Sequence, residues 1–216
     1  MTKLINLHTH KFSNLSDVIE VVNQYPWEFD ASIPNYSIGI HPWYIDENRL
    51  ESDLEIIKEK LQLSECLALG ECGLDKRIEI PLDLQISVFK KQLEIVKQTK
   101  KPIILHCVAA FDELIAIKKE LKISNPLIIH GFSKNEQVAK SLLNNGFYLS
   151  FGKYLLRNPD LEKVFTFAPE NQILLETDTI EESIYEVYKK AASIKGISVE
   201  EMKSIVFTNF SKVFKQ

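Results

Sequence analysis

The stretch that decides the fold is Leu4-Ile5-Asn6-Leu7-His8-Thr9-His10. It is a short apolar run that ends in two histidines separated by one residue. If the run is a β-strand, its side chains alternate between the two faces, so His8 and His10 point the same way. Two neighbouring imidazoles at the end of a strand supply two of the four ligands of a tetrahedral metal site, or two of the six of an octahedral one.

The remaining histidines are placed in the same way. The chain contains five histidines, and His41, His106 and His130 also follow short apolar runs. Any one of them alone is more simply explained as a core or turn histidine. Five histidines at the ends of apolar runs favour a shared site instead.

Length and charge limit the class of protein. A chain of 216 residues is long enough to bury a large core, and it is predicted to form a single domain over residues 1–216. A hydrophobic fraction of 45% and a charged fraction of 26% are ordinary for a soluble globular protein. The net charge of -4 argues against long, nonspecific duplex binding. It does not exclude a nuclease, because bound cations add positive charge that a residue count omits.

The cysteines and apolar runs indicate a compartment. Cys66, Cys72 and Cys107 form no CxxC pair, and an odd count is typical of free thiols in a reducing environment. No signal peptide is recognisable at the N-terminus, and the apolar runs are too short to span a bilayer. The sequence therefore predicts a cytoplasmic protein without membrane contact. Cys72 and Cys107 are predicted to pack rather than to bind metal.

Strand-like and helical segments alternate along the chain. One helical example is the segment 46–63, where Leu50, Leu54, Ile57 and Leu61 share a face. Eight strands alternating with helices predict a parallel sheet closed into a TIM-type (β/α)8 barrel, with the helices after the first two strands reduced or missing. An open doubly wound sheet is the alternative, but it gathers ligands from only two or three strand ends. Polar candidates here follow six or more strands, which favours the barrel.

Carboxylates follow two of these strands. Glu71 is predicted to lie just past a fourth strand at 66–70 and to share the inward face of Leu69. Glu176 and Asp178 have the same parity at the end of the eighth strand, so parity does not choose between them. Asp178 is the better predicted ligand because it is nearer the rim.

Six motifs occur in the order seen in the TatD family of metal-dependent hydrolases, which the chain resembles over essentially its whole length. They are His8-Thr9-His10, Gly39-Ile40-His41-Pro42, Gly70-Glu71-Cys72-Gly73-Leu74-Asp75, Leu105-His106-Cys107, His130-Gly131-Phe132-Ser133 and Glu176-Thr177-Asp178. The closing Asn209-Phe210-Ser211-Lys212-Val213-Phe214 is also similar to the C-terminal signature of that family.

The resemblance implies a TIM-type barrel with one or two divalent metal ions, and the best-known activity of the family is deoxyribonuclease. It implies one metal on His8, His10, Glu71 and Asp178, and a second on Glu71, His106 and His130. Glu71 would bridge the two ions. His41 would lie in the substrate pocket without being a ligand.

This ligand set is chemically consistent with hydrolysis. Two cations about 3.5–4 Å apart can share a hydroxide and stabilise a leaving oxyanion. Each oxygen of a bridging carboxylate can bind one ion, which suits Glu71, while Asp178 can accept the proton of the attacking water. Mixed imidazole and carboxylate ligands suit Zn, Mn, Ni or Fe, and less well Mg.

Several positions depart from the family pattern. The family usually has an aspartate shortly after the His-x-His pair, but Lys11-Phe12 follows here. Val108 follows the His106-Cys107 pair, where a basic residue is common, and the segment after Asp178 lacks a long covering loop. These changes affect substrate contacts rather than metal ligands. Trp43, with its neighbour Tyr44, is a candidate to stack a base or sugar, although simple loop packing also explains it.

The predicted function is therefore a two-metal hydrolase acting on phosphodiesters, with a nucleic acid end or a small phosphoester as substrate. A hydrolase of the same fold acting on an amide or ester is the first alternative. A non-catalytic barrel that keeps a metal and binds a partner is the second. No obligate protein partner is evident from the sequence.

Overall fold

The computed structural model describes residues 2–215. In this range the strands are β1 (Leu4–Thr9), β2 (Val18–Gln24), β3 (Tyr36–Ile38), β4 (Cys66–Asp75), β5 (Ile103–Val108), β6 (Leu127–Ile129), β7 (Phe147–Phe151) and β8 (Ile173–Leu175). The helices are α1 (Leu50–Lys60), α2 (Leu82–Val96), α3 (Phe111–Glu120), α4 (Glu136–Asn144), α5 (Lys153–Arg157), α6 (Pro159–Phe167), α7 (Ile184–Lys195) and α8 (Val199–Phe214). Short 3-10 turns cover Pro26–Glu28, Pro42–Tyr44 and Glu170–Gln172.

The eight parallel strands form one sheet in chain order and make a nearly closed TIM-type barrel, as predicted. No helix separates β1 from β2, and only the turn Pro26–Glu28 separates β2 from β3. The missing helices are therefore the two that the sequence indicated. They account for a chain shorter than the typical ~250 residues of this fold.

A backbone bridge and several side-chain hydrogen bonds connect the segments of the first and last strands, along a boundary that we call the seam. A bridge joins Thr9 to Asp178 at the carboxyl end. Lower in the seam, the Tyr188 hydroxyl donates to the Ile5 carbonyl and accepts from the Ile5 amide, both at 3.0 Å. The Asn6 side chain bonds the amide and hydroxyl of Thr177, each at 2.9 Å. These bonds satisfy buried polar groups that a short β8 leaves without a strand partner.

The residues divide into two compact units, each with its own core. The first unit contains the chain up to Val22 and from Ile128 onward. Its core includes Ile5, Leu7 and Phe165, all fully buried.

The second unit spans Asn23–Leu127. Its core includes Ile57, Val96 and Ile103, which are also fully buried. Ile57 lies on the apolar face of α1 that the sequence predicted.

Some boundaries differ from the sequence prediction. The fourth strand was predicted to end at Gly70, but β4 continues to Asp75. Helix α5 was not predicted, because its five residues are too few to show a helical period. A capping box starts α8, with Ser198 and Glu201 bonded reciprocally. Across residues 2–215, none of the helices has the length and apolarity needed to cross a bilayer.

Candidate metal centre

The first unit places both histidines of the opening motif beside one carboxylate. Asp178 Oδ1 lies 3.7 Å from His8 Nε2 and 3.5 Å from His10 Nε2. His8 is fully buried, whereas the side chains of His10 and Asp178 keep 29% and 26% of their surface exposed. The cluster is therefore anchored in the core on one side and open to solvent on the other.

Backbone contacts with β1 hold Asp178 in this position. Its amide donates to the His8 carbonyl at 2.9 Å, and its carbonyl accepts from the His10 amide at 3.2 Å. Asp178 has a φ of 57°, in the left-handed region that aspartate tolerates better than most residues. The strand that supplies the two imidazoles thus also positions the carboxylate.

His130 and Glu176 complete the polar group of the first unit. The His130 ring lies 4.5 Å from the His8 ring, centroid to centroid, and its Nδ1 is 3.4 Å from Glu176 Oε1. The same oxygen accepts from the Gly131 amide at 2.7 Å. Burial alone would raise the pKa of Glu176, but contacts with His130 and His8 outweigh it and hold the pKa below its usual range.

Sequence parity weighed Glu176 against Asp178 and could not separate them. The structure gives each a different position in the first unit. Asp178 faces the His8–His10 pair at the rim, whereas Glu176 is fully buried behind His130. Glu176 thus lies in this polar group, although the sequence analysis ranked it below Asp178 as a ligand.

The second unit brings together two histidines and Glu71. Glu71 Oε1 lies 3.0 Å from His41 Nε2 and 3.0 Å from His106 Nδ1. All three side chains are largely buried. The Asn23 side chain accepts from the Glu71 amide at 2.7 Å, which holds the backbone at this point of β4.

A bulge in β4 changes the expected register of Glu71. Leu69 pairs with Ile103 and Cys72 with Leu105, so three steps of β4 oppose two steps of β5. Leu69 and Glu71 consequently lie on opposite faces, and the prediction that they share the inward face is wrong. Glu71 also lies inside β4 rather than past its end.

Beyond the bulge, the β4 register is regular. Gly73 pairs with His106, and Asp75 lies one alternation further along the same face. Cys72 and Leu74 face the other way. As predicted, Cys72 is fully buried, and burial raises the pKa of its thiol; Cys107 pairs with Leu74, away from His106.

Asp75 is a site residue to which the sequence assigned no role. It is buried, and its Oδ2 lies 3.2 Å from His106 Nε2. Trp43 Nε1 donates to the same oxygen at 2.8 Å, and the Arg77 amide donates to Oδ1 at 2.8 Å. Burial alone would raise the pKa of Asp75, but these hydrogen bonds and His106 hold it below its usual range. Its spacing of four residues from Glu71, an even number that keeps both side chains on one face of a regular strand, was the signal that could have identified it.

Both units offer donors that fit a divalent metal ion. In each of two clusters, His8–His10–Asp178 and His41–Glu71–His106, the ligand atoms all lie within 4.8 Å of one another. Imidazole nitrogens combined with carboxylate oxygens are the donors that Zn, Mn, Ni and Fe prefer. The ligand roles of individual residues stay predictions, as does a shared role for Glu71 or His130.

A parallel barrel whose strand ends carry imidazole and carboxylate donors defines the class as a TIM-barrel metal-dependent hydrolase. The family model described as TatD related DNase matches residues 1–215 of this chain. The chain therefore belongs to the TatD family of metal-dependent hydrolases.

Individual relatives agree with this assignment. YabD of Bacillus subtilis, an uncharacterized metal-dependent hydrolase, is 30% identical over 93% of this chain and 83% of its own length. YcfH of Escherichia coli K12, also an uncharacterized metal-dependent hydrolase, is 28% identical over 83% of this chain and 73% of its own. The crystal structure of the Escherichia coli K12 TatD homologue YJJV has a TM-score of 0.84, with 20% identity and coverage of 100% and 99%. That structure supports the fold.

Proposed function

We propose that this hydrolase is a divalent-metal-dependent phosphodiesterase that acts on nucleic acid ends, as a deoxyribonuclease of the TatD type. The observation that carries the proposal is the position of Asp178. Its partly exposed carboxylate lies within 3.7 Å of both rim imidazoles of the first unit. It can therefore contact a metal ion through one oxygen and a solvent-derived nucleophile through the other.

Two metal ions are proposed, one at each cluster of donors. Bound metal ions would polarise the phosphoryl oxygen and lower the pKa of a bound water. His8, His10 and Asp178 would hold one ion in the first unit, with His130 nearby. Glu71 and His106 would hold one in the second unit. The bridging role of Glu71 rests on the family resemblance alone.

The residues of this chain then supply positioning and proton transfer. Asp178 accepts the proton of the attacking water, as a general base within reach of the rim. His41 orients Glu71 through their 3.0 Å contact and is not a ligand in this proposal. Trp43, which is 52% exposed beside His41, offers a face on which a base or sugar can stack.

Basic residues of the first unit support an anionic substrate. Lys11 follows β1, Lys134 follows β6 and Lys153 begins the helix after β7. All three come after the carboxyl ends of strands, where barrel enzymes place their active sites. They provide local positive charge for phosphate even though the net charge of the chain is -4.

The test measures metal content and hydrolysis together. The protein is stripped with a chelator, reloaded separately with Zn, Mn, Ni, Fe or Mg, and assayed on a single-stranded oligonucleotide and a small chromogenic diester. Asp178→Asn keeps the shape of the side chain but loses most of its basicity, so kcat should fall about 10²–10⁴-fold. Metal content should fall much less, because the other ligands remain.

Asp160→Asn is the matched control, since Asp160 is an exposed carboxylate in the first turn of α6. It should leave both metal content and rate unchanged. Equal rates for wild type and Asp178→Asn would contradict the proposed mechanism. Cleavage of the small diester alone would indicate that the substrate is a small phosphoester rather than DNA. Hydrolysis of ester or amide probes alone would indicate a hydrolase of the same fold that acts on an amide or ester. Metal binding without any hydrolysis would indicate a non-catalytic barrel that keeps a metal and binds a partner.

A further inference from the structure

Five residues of the second unit form a closed ring of polar contacts, which we call the Asp75 ring; four links join side chains, and one runs through the main-chain amide of Trp43. Its members are the two histidines and Glu71 of that unit, together with Asp75 and Trp43. The contacts are Glu71 Oε1 to His106 Nδ1 at 3.0 Å, His106 Nε2 to Asp75 Oδ2 at 3.2 Å, Asp75 Oδ2 to Trp43 Nε1 at 2.8 Å, Trp43 N to His41 Nδ1 at 3.1 Å and His41 Nε2 to Glu71 Oε1 at 3.0 Å.

Asp75 is held rigidly within this ring. The Gln85 side chain accepts from the Asp75 amide at 2.8 Å and donates to its carbonyl at 2.9 Å. One carboxylate oxygen accepts from the Arg77 amide, and the other accepts from the Trp43 indole. With only 2% of its surface exposed, Asp75 is surrounded by protein donors rather than by water.

The donors in this ring determine where a proton must sit. An ionised carboxylate only accepts hydrogen bonds, and the Trp43 indole nitrogen only donates. For His106 to bond Asp75, its Nε2 must therefore carry a proton, and a metal ion at Nδ1 would take the place of the proton that Nδ1 otherwise needs to bond Glu71. A histidine that donates through one ring nitrogen is left with the other nitrogen for a metal.

We propose that Asp75 is a positioning residue that holds His106 with a proton on Nε2, so that Nδ1 beside Glu71 is the metal-binding nitrogen. This inference rests on the metal centre of the proposed function. It assigns a role to the last residue of the Gly70–Asp75 motif, and it makes Trp43 a part of the support of the metal site as well as a candidate stacking surface.

The same logic fixes the direction of the contact between His41 and Glu71. The Trp43 amide donates to His41 Nδ1 at 3.1 Å, so that nitrogen is an acceptor. In a neutral imidazole, the proton then sits on Nε2, which donates to Glu71 Oε1. His41 therefore orients Glu71 instead of competing with it for a metal ion.

Nuclear magnetic resonance of cadmium-loaded protein tests the assignment directly. The protein is labelled with ¹⁵N-histidine and loaded with ¹¹³Cd, and the nitrogen that shows cadmium coupling identifies the ligand atom. For His106 we expect coupling to Nδ1 and a protected, hydrogen-bonded proton on Nε2. Coupling to His106 Nε2 in the wild-type protein would overturn the proposal without any need for a variant.

Asp75→Asn provides the second test. An asparagine cannot offer acceptors to both the Arg77 amide and His106, because one of its two side-chain atoms is a donor. Loss of such a second partner typically lowers metal affinity about 10–100-fold, and we expect that loss for cadmium at His106. The Nε2 proton signal of His106 should also shift or disappear. Unchanged affinity together with an unchanged spectrum would contradict the proposal.

Asp53→Asn is the matched control. Asp53 is a buried carboxylate of the same unit that pairs with Arg49 at 2.9 Å and takes no part in the ring. Its loss should reduce stability but leave the cadmium coupling of His106 unchanged. If Asp75→Asn does not fold, the wild-type spectrum still decides the question.

Failure of the proposed function gives a different result. If cadmium couples to no histidine, the metal centre itself is wrong. The metal-free spectrum then tests the ring alone, since a His106 Nε2 proton that exchanges freely with solvent would show that Asp75 does not hold it.

Discussion

Trp43 is the residue for which we propose two functions, stacking of a substrate and support of the metal site. Its indole is 52% exposed, yet its Nε1 is fixed by Asp75 at 2.8 Å and its ring lies 5.0 Å from that of His41. A rigid, exposed aromatic face beside the candidate metal centre would lose little conformational entropy if a base stacked on it. Simple loop packing would not require this degree of exposure.

Two substitutions of Trp43 separate stacking from support. Trp43→Ala should raise KM for a single-stranded oligonucleotide about 5- to 150-fold, since stacking contributes ~1–3 kcal/mol per base. Trp43→Phe keeps an aromatic face and loses only the donor to Asp75. The KM of this variant should therefore change by a smaller factor than its metal affinity at His106. Phe167→Ala, which removes another exposed aromatic side chain, should alter neither quantity. A KM unaffected by Trp43→Ala would rule out stacking.

At the scale of elements, β4 is the strand that depends most on small residues. Gly73 has a φ of 143°, and a Cβ at this position would lie 2.0 Å from the His106 carbonyl oxygen. The close approach of β4 and β5 is what brings Asp75 and Glu71 to the two sides of the His106 ring. A side chain at Gly73 would push the two strands apart.

Gly73→Ala should therefore disturb both stability and the metal centre. Backbone strain and overpacking each cost about 1–3 kcal/mol, so the free energy of unfolding should fall by about 2–6 kcal/mol in denaturant titration. Gly196→Ala is the control, because Gly196 also has a positive φ of 69° but has nothing within 4 Å of a new Cβ. It should cost only about 1–2 kcal/mol and leave metal binding intact. Similar losses in both variants would mean that the strand contact is not critical.

For the whole molecule, bound metal should contribute to thermal stability. A ligand that binds only the folded state at 100 times its Kd stabilises it by about 2.7 kcal/mol. A chain of this size shifts its Tm by about 2–4 °C per kcal/mol, so chelation should lower Tm by about 5–10 °C. Readdition of the metal should restore it, as followed by calorimetry. No change in Tm after verified metal removal would contradict a metal bound to the folded barrel.

Much of this architecture was decided locally in the sequence. Alternating apolar runs and amphipathic segments predicted the barrel, and the short polar stretch after Leu4–Thr9 predicted the missing first helix. The positions of His8 and His10 on one face follow from the two-residue period of a strand. These features depend on neighbours in the chain, so a single sequence can show them.

Other features were decided only by contacts between distant segments. The β4 bulge places Glu71 and Leu69 on opposite faces of the strand. Counting alternate residues along the sequence does not reveal the extra residue of the bulge, because only the pairing of β4 with β5 shows it. Asp75 became a site residue through Trp43 and His106, which lie 32 and 31 positions away in the chain. Glu176 and Asp178 share a parity, and only the contacts of Asp178 with the β1 backbone and of Glu176 with His130 distinguish their surroundings. Sequence spacing fixes which face a side chain takes within a regular strand, whereas its partners are chosen by packing, which acts through space.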